Sequence, residues 1–290
     1  MIEETIKYPL KLYKYVPFDR IDIIENKCLC FSRPTSFNDP FDSKPHVKGF
    51  ASPKDFDNNI FENEDVDNIL DATMNSHVAM KHLKQLIPEF STFIEKAKKD
   101  AKAVLKQHYL NANKTISTDI SYTDLSKIVG ILSLTTKYDN LLMWSHYAKD
   151  HTGFVIEFDA TKPFFTEKHK NELLNLKKVN YSKIRPQSYL MDQEFEARFF
   201  VKSEEWVYED EWRLLKAVSK TFFKDDEQKH PLVSFNADII TAVILGCKMS
   251  EPNRSEIINK IQSTEHLQHI KIYQASEDEK EFKLNFKPIN

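Results

Sequence analysis

Two carboxylates at the start of a strand-like segment are the side chains best suited to chemistry in this sequence. Glu209 and Glu211 are two residues apart, and the segment 212–217 after them has the pattern of a strand. In an extended strand, residues i and i+2 project from the same face, so the two carboxylates would point together. With aromatic neighbours that exclude water, such a pair can serve in acid–base or electrostatic catalysis. The alternative is an acidic strand end exposed to solvent beside basic side chains, namely Lys202, Arg213 and Lys216.

Length and composition predict a folded protein with a substantial core. The chain has 290 residues, of which 41% are hydrophobic and 12% aromatic, as is typical of a globular protein. Lysine and arginine together number 41, and aspartate and glutamate 44, for a net charge of -3. This balance gives no global basic field of the kind that favours nucleic-acid binding.

The cysteines and the N-terminal segment predict the compartment. Cys28 and Cys30 would share one face of a strand, where they cannot bridge each other, and Cys247 is distant in the sequence. Buried free thiols favour a reducing compartment. The segment 1–7 is acidic where a signal peptide would be basic, and no apolar run reaches the roughly 18 to 20 residues of a membrane helix. We therefore expect a cytoplasmic protein without a membrane segment.

Hydrophobic periodicity predicts an α+β protein with a split or mixed β-sheet of short strands. The sequence has only four glycines and no glycine-rich phosphate loop, which argues against a Rossmann domain or a P-loop. Gly153 directly precedes a predicted strand, so we expect a position that needs either backbone freedom or a close approach of the backbone. The predicted strands are 10–15, 28–32, 128–135, 154–158, 177–181, 209–217, 239–245, 270–273 and 282–286, and the predicted helices are 18–25, 140–148, 192–200 and 251–261.

Two segments depart from this pattern in different ways. Residues 33–42 contain two prolines and an Asn-Asp pair, which predict an ordered, irregular loop that presents side chains. Residues 55–111 are rich in Asn, Asp, Lys and Ala, with apolar residues at helical spacing. They predict a helical insertion with a solvated, charged face. We expect a single domain over 1–290 that carries this insertion.

Metal sites and activated serines find little support in the sequence, yet two alternative functions stay open. No His-Glu-x-x-His or equivalent spacing occurs, so we expect no metal site, and no nucleophile elbow surrounds a serine. A non-enzymatic module whose aromatic and Asn-Asp-Pro segments recognise a ligand or a protein is one alternative. A metal-dependent nuclease is the other, with a set of acids and a lysine in an order loosely like that of many nucleases: Asp39, Asp42, Glu209, Glu211 and Lys216.

Four segments, in their order along the chain, resemble a bacterial family catalogued as domain of unknown function 2971. The resemblance covers nearly the whole chain, from about residue 10 to the strand at 242–247, with 55–111 as a variable segment. A family of this kind implies no activity by itself. The segments are Leu-Tyr-Lys-Tyr at 12–15, Phe31-Ser32 through Ser-Phe-Asn-Asp-Pro-Phe-Asp at 36–42, Met-Trp-Ser-His-Tyr-Ala at 143–148 with Gly153, and Trp206 with Tyr-Glu-Asp-Glu-Trp-Arg at 208–213.

A more distant resemblance is to ADP-ribosyltransferases, which cleave NAD at the nicotinamide glycosidic bond. The similarity lies in the order of a first strand with a basic residue, a second strand ending in serine, and a later Glu-x-Glu that opens a strand. It implies that Lys14 holds NAD and that Ser32 supports the nicotinamide ribose. Glu211 would grip the ribose hydroxyl, and Glu209 would activate the acceptor. Lys14 stands where these enzymes have an arginine or a histidine.

The same resemblance implies an ADP-ribosyltransferase-like fold and a wider NAD pocket. Aromatic residues would stack on the nicotinamide or adenine ring, and the Asn-Asp pair would bind ribose or amide groups. The implied activity modifies a protein or nucleic-acid acceptor, in the role of a toxin or a phage-defence effector. The residues that complete the implied NAD-binding set are Tyr15, Asn38, Asp39, Trp144, His146 and Tyr147.

Overall fold

The computed structural model describes residues 8–44, 46–49, 92, 96, 129–166, 173–189, 195–217 and 230–289. The predicted helical insertion at 55–111 lies outside the described residues, apart from Thr92 and Lys96, which are helical. The expected single domain over 1–290 therefore stays a prediction. None of the described helices is long and apolar enough to cross a membrane.

The described strands form one large sheet and three small pairs. In chain order they are β1 (Lys11–Val16), β2 (Cys28–Cys30), β3 (His46–Gly49), β4 (Val129–Thr135), β5 (Phe154–Asp159), β6 (Leu173–Lys178), β7 (Asn180–Ser182), β8 (Gln187–Tyr189), β9 (Val201–Ser203), β10 (Glu211–Ala217), β11 (Leu232–Ser234), β12 (Ile240–Leu245), β13 (Lys271–Glu277) and β14 (Leu284–Ile289). The large sheet has the order β14-β13-β12-β5-β1-β4-β10-β6. Its neighbours are antiparallel, except that β12 and β13 are parallel. The small pairs are β2 with β11, β3 with β8 and β7 with β9.

Short helices connect these strands. The described α-helices are α1 (Asp22–Asn26), α2 (Leu141–Tyr147), α3 (Pro163–Thr166) and α4 (Glu251–Ser263). Asn140 caps α2, because its Oδ1 accepts a hydrogen bond from the Met143 backbone N–H at 3.1 Å. A large mixed sheet with few helices, as far as the chain is described, belongs to the α+β class that the sequence predicted.

The start of β10 is the main correction to the predicted elements. The sequence predicted a strand over 209–217, but Glu204–Glu209 is a 3-10 helix and the strand begins at Glu211. Between them, Asp210 has a left-handed backbone with φ of 43°, which aspartate tolerates better than most residues. The two glutamates therefore lie on different elements and do not share one face of one strand.

Other predicted elements differ less. The predicted strand 177–181 is divided between β6 and β7, and the described part of the predicted helix 192–200 is a 3-10 helix, Phe195–Phe200. The short strands β3, β8, β9 and β11 were not predicted. The remaining predicted strands and helices coincide with observed ones, with ends that differ by a few residues.

The sheet opens at the join between β1 and β4. β1 pairs with β5 along its whole length, but with β4 only where Tyr13 lies opposite Thr135. Ser32 takes over as the partner of β4, where it pairs with Ile131 through two backbone hydrogen bonds of 2.8 Å. The two central strands therefore diverge, and a gap is left between them.

Hydrophobic side chains on the two faces of the sheet form two cores. Leu12 and Val16 of β1 lie in the larger core, together with Ile257 of α4. Tyr15 projects to the other face, because side chains alternate along a strand, and packs there with Trp144 of α2. Both faces of β1 are thus covered, which places this strand at the centre of the molecule.

Gly153 lets the end of α2 approach β1 closely. A Cβ atom at this position would lie only 2.2 Å from the Val16 carbonyl oxygen and 3.0 Å from that of Ala148. The Gly153 N–H donates to the Ala148 oxygen at 2.8 Å. The close approach, one of the two expectations from the sequence, is confirmed.

Candidate functional site

A cavity of about 400 Å³ lies where β1 and β4 diverge. Its wall is built from these two strands, from α2, from the loop after Ser32, and from residues on β9, on β10 and at the end of the 3-10 helix before β10. The lining residues are Tyr13, Lys14, Tyr15, Ser32, Ser36, Phe37, Asn38, Asp42, Ser133, Leu134, Thr135, Met143, His146, Tyr147, Lys202, Glu209 and Glu211.

Most residues that the sequence implicated in catalysis or NAD binding line this cavity. All of them do except Asp39 and Trp144. Residues from all four segments noted above therefore meet at one place, although the segments are distant in the sequence. The residues brought together are Lys14, Tyr15, Ser32, Asn38, His146, Tyr147, Glu209 and Glu211.

Trp144 supports the cavity wall from behind. Its side chain is fully buried, and its Nε1 donates to the Tyr138 carbonyl oxygen at 2.9 Å. Its ring meets the Tyr15 ring edge-on, with centroids 5.3 Å apart. Trp144 is therefore a core residue that holds Tyr15 in place, and it does not line the cavity as His146 and Tyr147 do.

Asp39 shapes the loop and does not face the cavity. Its Oδ1 accepts a hydrogen bond from the Phe41 N–H at 2.8 Å, as in an Asx turn. The carboxylate that this loop does contribute is Asp42, which lines the cavity and lies 2.7 Å from Arg213 Nη2. From the sequence, Asp42 was a candidate acid of the nuclease alternative and not part of the implied NAD site.

The two glutamates converge on the ammonium group of Lys202. The Lys202 Nζ lies 2.5 Å from Glu209 Oε2, 3.2 Å from Glu211 Oε2 and 3.5 Å from Asp42 Oδ2. The side chains reach it from two elements, because the left-handed turn at Asp210 redirects the chain between them. The predicted meeting of the carboxylates is therefore achieved by a shared cation and not by strand periodicity.

Arg213 fixes Glu211 from the opposite side. It is fully buried, and its Nε and Nη2 donate to the two Glu211 carboxylate oxygens at 2.7 and 2.9 Å. The same guanidinium donates to Asp42 Oδ2 at 2.7 Å, to Ser43 Oγ at 3.0 Å and to the Phe199 oxygen at 2.7 Å. This bidentate arrangement leaves Glu211 little freedom to rotate.

Burial and ion pairing give the two glutamates different acidities. Burial alone would raise the pKa of Glu211, but Arg213 and Lys202 lower it to about 2. Burial raises the pKa of Glu209, and Lys202 only partly opposes this effect. Both residues are 3% exposed, so the alternative of an acidic strand end exposed to solvent is wrong. Paired carboxylates whose pKa values are held apart can take different roles in one reaction.

Tyr147 of α2 completes the surroundings of Glu209. Its hydroxyl donates to Glu209 Oε1 at 2.5 Å, and the Asn38 side chain also interacts with this hydroxyl. Burial and the charge of Glu209 raise the pKa of Tyr147 well above its usual value. The phenol therefore stays protonated and serves as a hydrogen-bond donor at the cavity wall.

Lys14 and Tyr15 bring polar groups to the cavity from β1. The Lys14 Nζ donates to the Ser133 carbonyl oxygen at 3.2 Å and forms no ion pair with any described residue. Burial lowers the pKa of Lys14. The Tyr15 hydroxyl is buried without a hydrogen-bond partner among the described residues. Lys14 thus keeps further N–H donors for a ligand, whereas the Tyr15 hydroxyl is buried near the Asn140 backbone.

The sequence did not identify Lys202 or Arg213 as site residues, because both were interpreted only as basic neighbours of an exposed strand end. Lys202 lies on β9 with 6% of its surface exposed. Burial disfavours its charge, but Glu211, Glu209 and Asp42 together raise the pKa of Lys202 above its usual value. Lys202 lies seven and nine residues from the two glutamates. The chain between them passes through β9, a 3-10 helix and a left-handed turn, so no single period of helix or strand predicts this contact.

The acids and the lysine of the nuclease alternative are not arranged as a metal site. Asp42, Glu209 and Glu211 are each held by a buried cation, which a metal ion would have to displace. Lys216 is five residues from Glu211 on β10, so it projects from the other face of that strand. In the described part of the chain, no three His, Cys, Asp or Glu side chains are grouped as a metal site would require.

Comparison with protein families finds one similarity, in the segment that carries most of this cluster. Residues 143–214 match the model of a family described as "Protein of unknown function (DUF2971)". No curated protein matches the chain, and no solved structure does. The matched segment runs from α2 to the middle of β10 and includes Tyr147, Lys202 and both glutamates. This part of the chain is therefore similar to the family that the sequence motifs had indicated.

Proposed function

We propose that the protein is an ADP-ribosyltransferase-like enzyme that cleaves the bond between nicotinamide and ribose in NAD and modifies a macromolecular acceptor. The observation that carries the proposal is a buried cluster with an excess negative charge at the wall of a cavity. Among the described ion pairs of Lys202 and Arg213, three carboxylates meet two cations, so three minus two leaves one negative charge.

This charge suits the reacting end of NAD. Nicotinamide in NAD is a cationic ring, and the ribose passes through an oxocarbenium-like cation as the ring departs with the bonding electron pair. A carboxylate fixed beside the reacting carbon stabilises that cation without reorganising, and its effect is stronger where water is excluded. Glu211 is ionised and rigid, so we assign it this electrostatic role.

The neighbouring carboxylate suits the second half of the reaction. The ribose cation is captured by a nucleophilic oxygen or nitrogen of the acceptor, which loses a proton as the new bond forms. Glu209 lies beside Glu211 on the shared Lys202, and burial makes its carboxylate more basic than that of Glu211. We therefore assign Glu209 the role of the base that accepts this proton.

The rest of the cavity wall offers contacts for the other parts of NAD. The Lys14 amino group, when protonated, is a cation for the diphosphate, and Ser32 and Asn38 offer donors and acceptors to ribose hydroxyls. The rings of His146 and Tyr147 are available for stacking on a planar base. A ligand that combines a cationic ring with an anionic linker matches a wall with both kinds of charge.

The test is release of nicotinamide from NAD by the purified protein, with cell lysate as the acceptor and a metal chelator in excess. We expect release by the wild type, and a loss of about a hundredfold or more in Glu211→Gln, because one preorganised charge is removed. Glu205→Gln is the matched control, since Glu205 is exposed on the same segment. Transfer of labelled ADP-ribose to lysate components separates modification from hydrolysis.

Two results would overturn the proposal. One is a folded wild-type protein that releases no nicotinamide with any lysate supplied. The other is a folded Glu211→Gln variant that retains full activity. Circular dichroism of each variant shows whether it is folded, which matters because Glu211 also neutralises Arg213.

A further inference from the structure

We infer that Lys202 is a positioning residue, whose single ammonium group holds Glu209 and Glu211 together at the cavity and keeps Glu209 deprotonated. The inference rests on the proposed function, in which the two carboxylates act on one substrate. Lys202 itself would not react with the substrate, and its effect would be exerted through the glutamates.

Glu211 has two cationic partners among the described residues and Glu209 has one. The charge balance of Glu209 therefore depends on Lys202. Glu211 keeps a bidentate partner in Arg213 even without Lys202. Among the described residues, Lys202 is the only cation within ion-pair distance of Glu209, at 2.5 Å. The other described partner of that carboxylate is the neutral hydroxyl of Tyr147.

The position of Lys202 is itself fixed by its surroundings. Its strand, β9, pairs in parallel with β7, with Lys202 opposite Tyr181. The Tyr181 hydroxyl accepts a hydrogen bond from the Glu211 N–H at 2.8 Å. On the outer side, the Lys202 Nζ lies 5.0 Å from the centroid of the Trp206 ring, a cation–π contact. The ammonium group is therefore held between the carboxylates and an aromatic ring.

Loss of the Lys202 charge would leave Glu209 buried beside a second carboxylate. A buried carboxyl group without a cation takes up a proton, and the nearby negative charge strengthens this tendency. In a variant without this charge, Glu209 would be protonated at neutral pH. A protonated carboxyl group cannot accept a proton from the acceptor. The titratable and charged groups that face this site or line the cavity beside it are Tyr13 and Lys14 of β1, Asp42 of the loop, His146 and Tyr147 of α2, Tyr181 of β7, Lys202 of β9, Tyr208 of the 3-10 helix, and Glu211 and Arg213 of β10.

The first experiment is the pH profile of nicotinamide release by Lys202→Met. We expect its acid limb to move to higher pH by about one unit or more, so that the activity loss reaches about tenfold on the acid limb and shrinks towards the alkaline end of the profile. A purely structural role would lower activity equally at every pH. Lys178→Met is the matched control, because Lys178 pairs with Asp210 on the surface, next to Glu209 in sequence. An unshifted profile in folded Lys202→Met overturns the inference.

A second measurement uses the wild type and needs neither NAD nor a folded Lys202→Met. The carboxyl carbons of glutamate are labelled with ¹³C, and the Glu209 signal is assigned by its absence in Glu209→Gln. We expect the Glu209 carboxyl to be ionised at pH 7, and a wild-type Glu209 that titrates above pH 7 overturns the inference. If the wild type releases no nicotinamide, the proposed function fails while this titration still decides the ionisation of Glu209.

Discussion

At the scale of single residues, Arg213 compensates the buried negative charge of Asp42 and Glu211 at the cavity. Its guanidinium is fully buried and donates to two carboxylates, a hydroxyl and a backbone oxygen. Removing one partner of a buried ion pair costs several kcal/mol, because the other charge is left without compensation. Glu211 therefore has a structural role as the partner of Arg213, in addition to the catalytic role proposed for it.

The acidity of Glu211 predicts how stability changes with pH. Its pKa is about 2 in the folded protein, against 4.5 for an unperturbed glutamate. A lowered folded-state pKa stabilises the fold above the unfolded value, and this stabilisation is lost as the pH falls from about 4.5 towards 2. We expect the free energy of unfolding to decrease over this range.

Urea denaturation at a series of pH values measures this effect. Glu211→Gln cannot titrate at this position, so its stability should depend less on pH between 4.5 and 2 than that of the wild type. Glu205→Gln, with an exposed side chain, should follow the wild type. Parallel curves for wild type and Glu211→Gln would show that the carboxyl of Glu211 is not unusually acidic.

At the scale of secondary-structure elements, the site depends on how closely α2 lies against β1. The turn after α2 contains three consecutive residues with positive φ, from Lys149 to His151, before the chain enters β5 at Phe154. Gly153 follows this turn and is hydrogen-bonded back to the end of α2. This tight connection sets the position of Tyr147, and with it the contact to Glu209.

Gly153→Ala should therefore be strongly destabilising. The added Cβ would meet the Val16 backbone oxygen at 2.2 Å, which no rotation of a side chain can relieve. We expect a loss of about 3 kcal/mol, at the upper end for overpacking substitutions. Gly130→Ala is the comparison, because its Cβ would meet the Phe31 Cβ at 2.9 Å. Thermal or urea unfolding measures the stability of each variant relative to the wild type. Equal stability of Gly153→Ala and wild type would contradict the close approach.

Periodicity and local turn chemistry allowed most elements to be predicted, whereas the contacts of the site could not be. The alternating pattern of β1 and the Asn140 cap of α2 are local features. The left-handed Asp210 was missed, because the charged and aromatic residues around it also fit a strand. The ion pair between Asp42 and Arg213 joins residues 171 positions apart, and no local pattern predicts such a distance. The sequence identified the carboxylates but not the cations that hold them.

At the scale of the whole molecule, the large sheet is divided into two groups of strands around the cavity. β5, β12, β13 and β14 lie on the side of β1, and β10 and β6 lie on the side of β4. The two groups meet in the sheet at the single pair of Tyr13 and Thr135. A ligand in the cavity contacts both groups and would bind only the folded protein.

Ligand binding should therefore stabilise the whole fold. We expect NAD to raise the melting temperature of Glu211→Gln, in which turnover is suppressed. A ligand at a hundredfold excess over its Kd adds about 2.7 kcal/mol. At roughly 2 to 4 °C per kcal/mol for a domain of about 150 to 250 residues, this corresponds to a rise of about 5 to 11 °C. Differential scanning fluorimetry measures the shift, with Lys14→Met as the variant expected to weaken it. Absence of any shift at millimolar NAD would argue against NAD as the ligand.

The central place of β1 also has a consequence for how the chain folds during synthesis. β1 is made before β5, yet the Tyr13 hydroxyl donates to Glu157, which follows 144 residues later. At about 5–20 residues per second, β1 waits roughly 7 to 30 seconds on the ribosome for this neighbour. Contacts of such long range also slow refolding of the complete chain. Because Arg213 must emerge before Asp42 and Glu211 can be neutralised, a nascent chain that stops short of β10 cannot assemble the charged cluster.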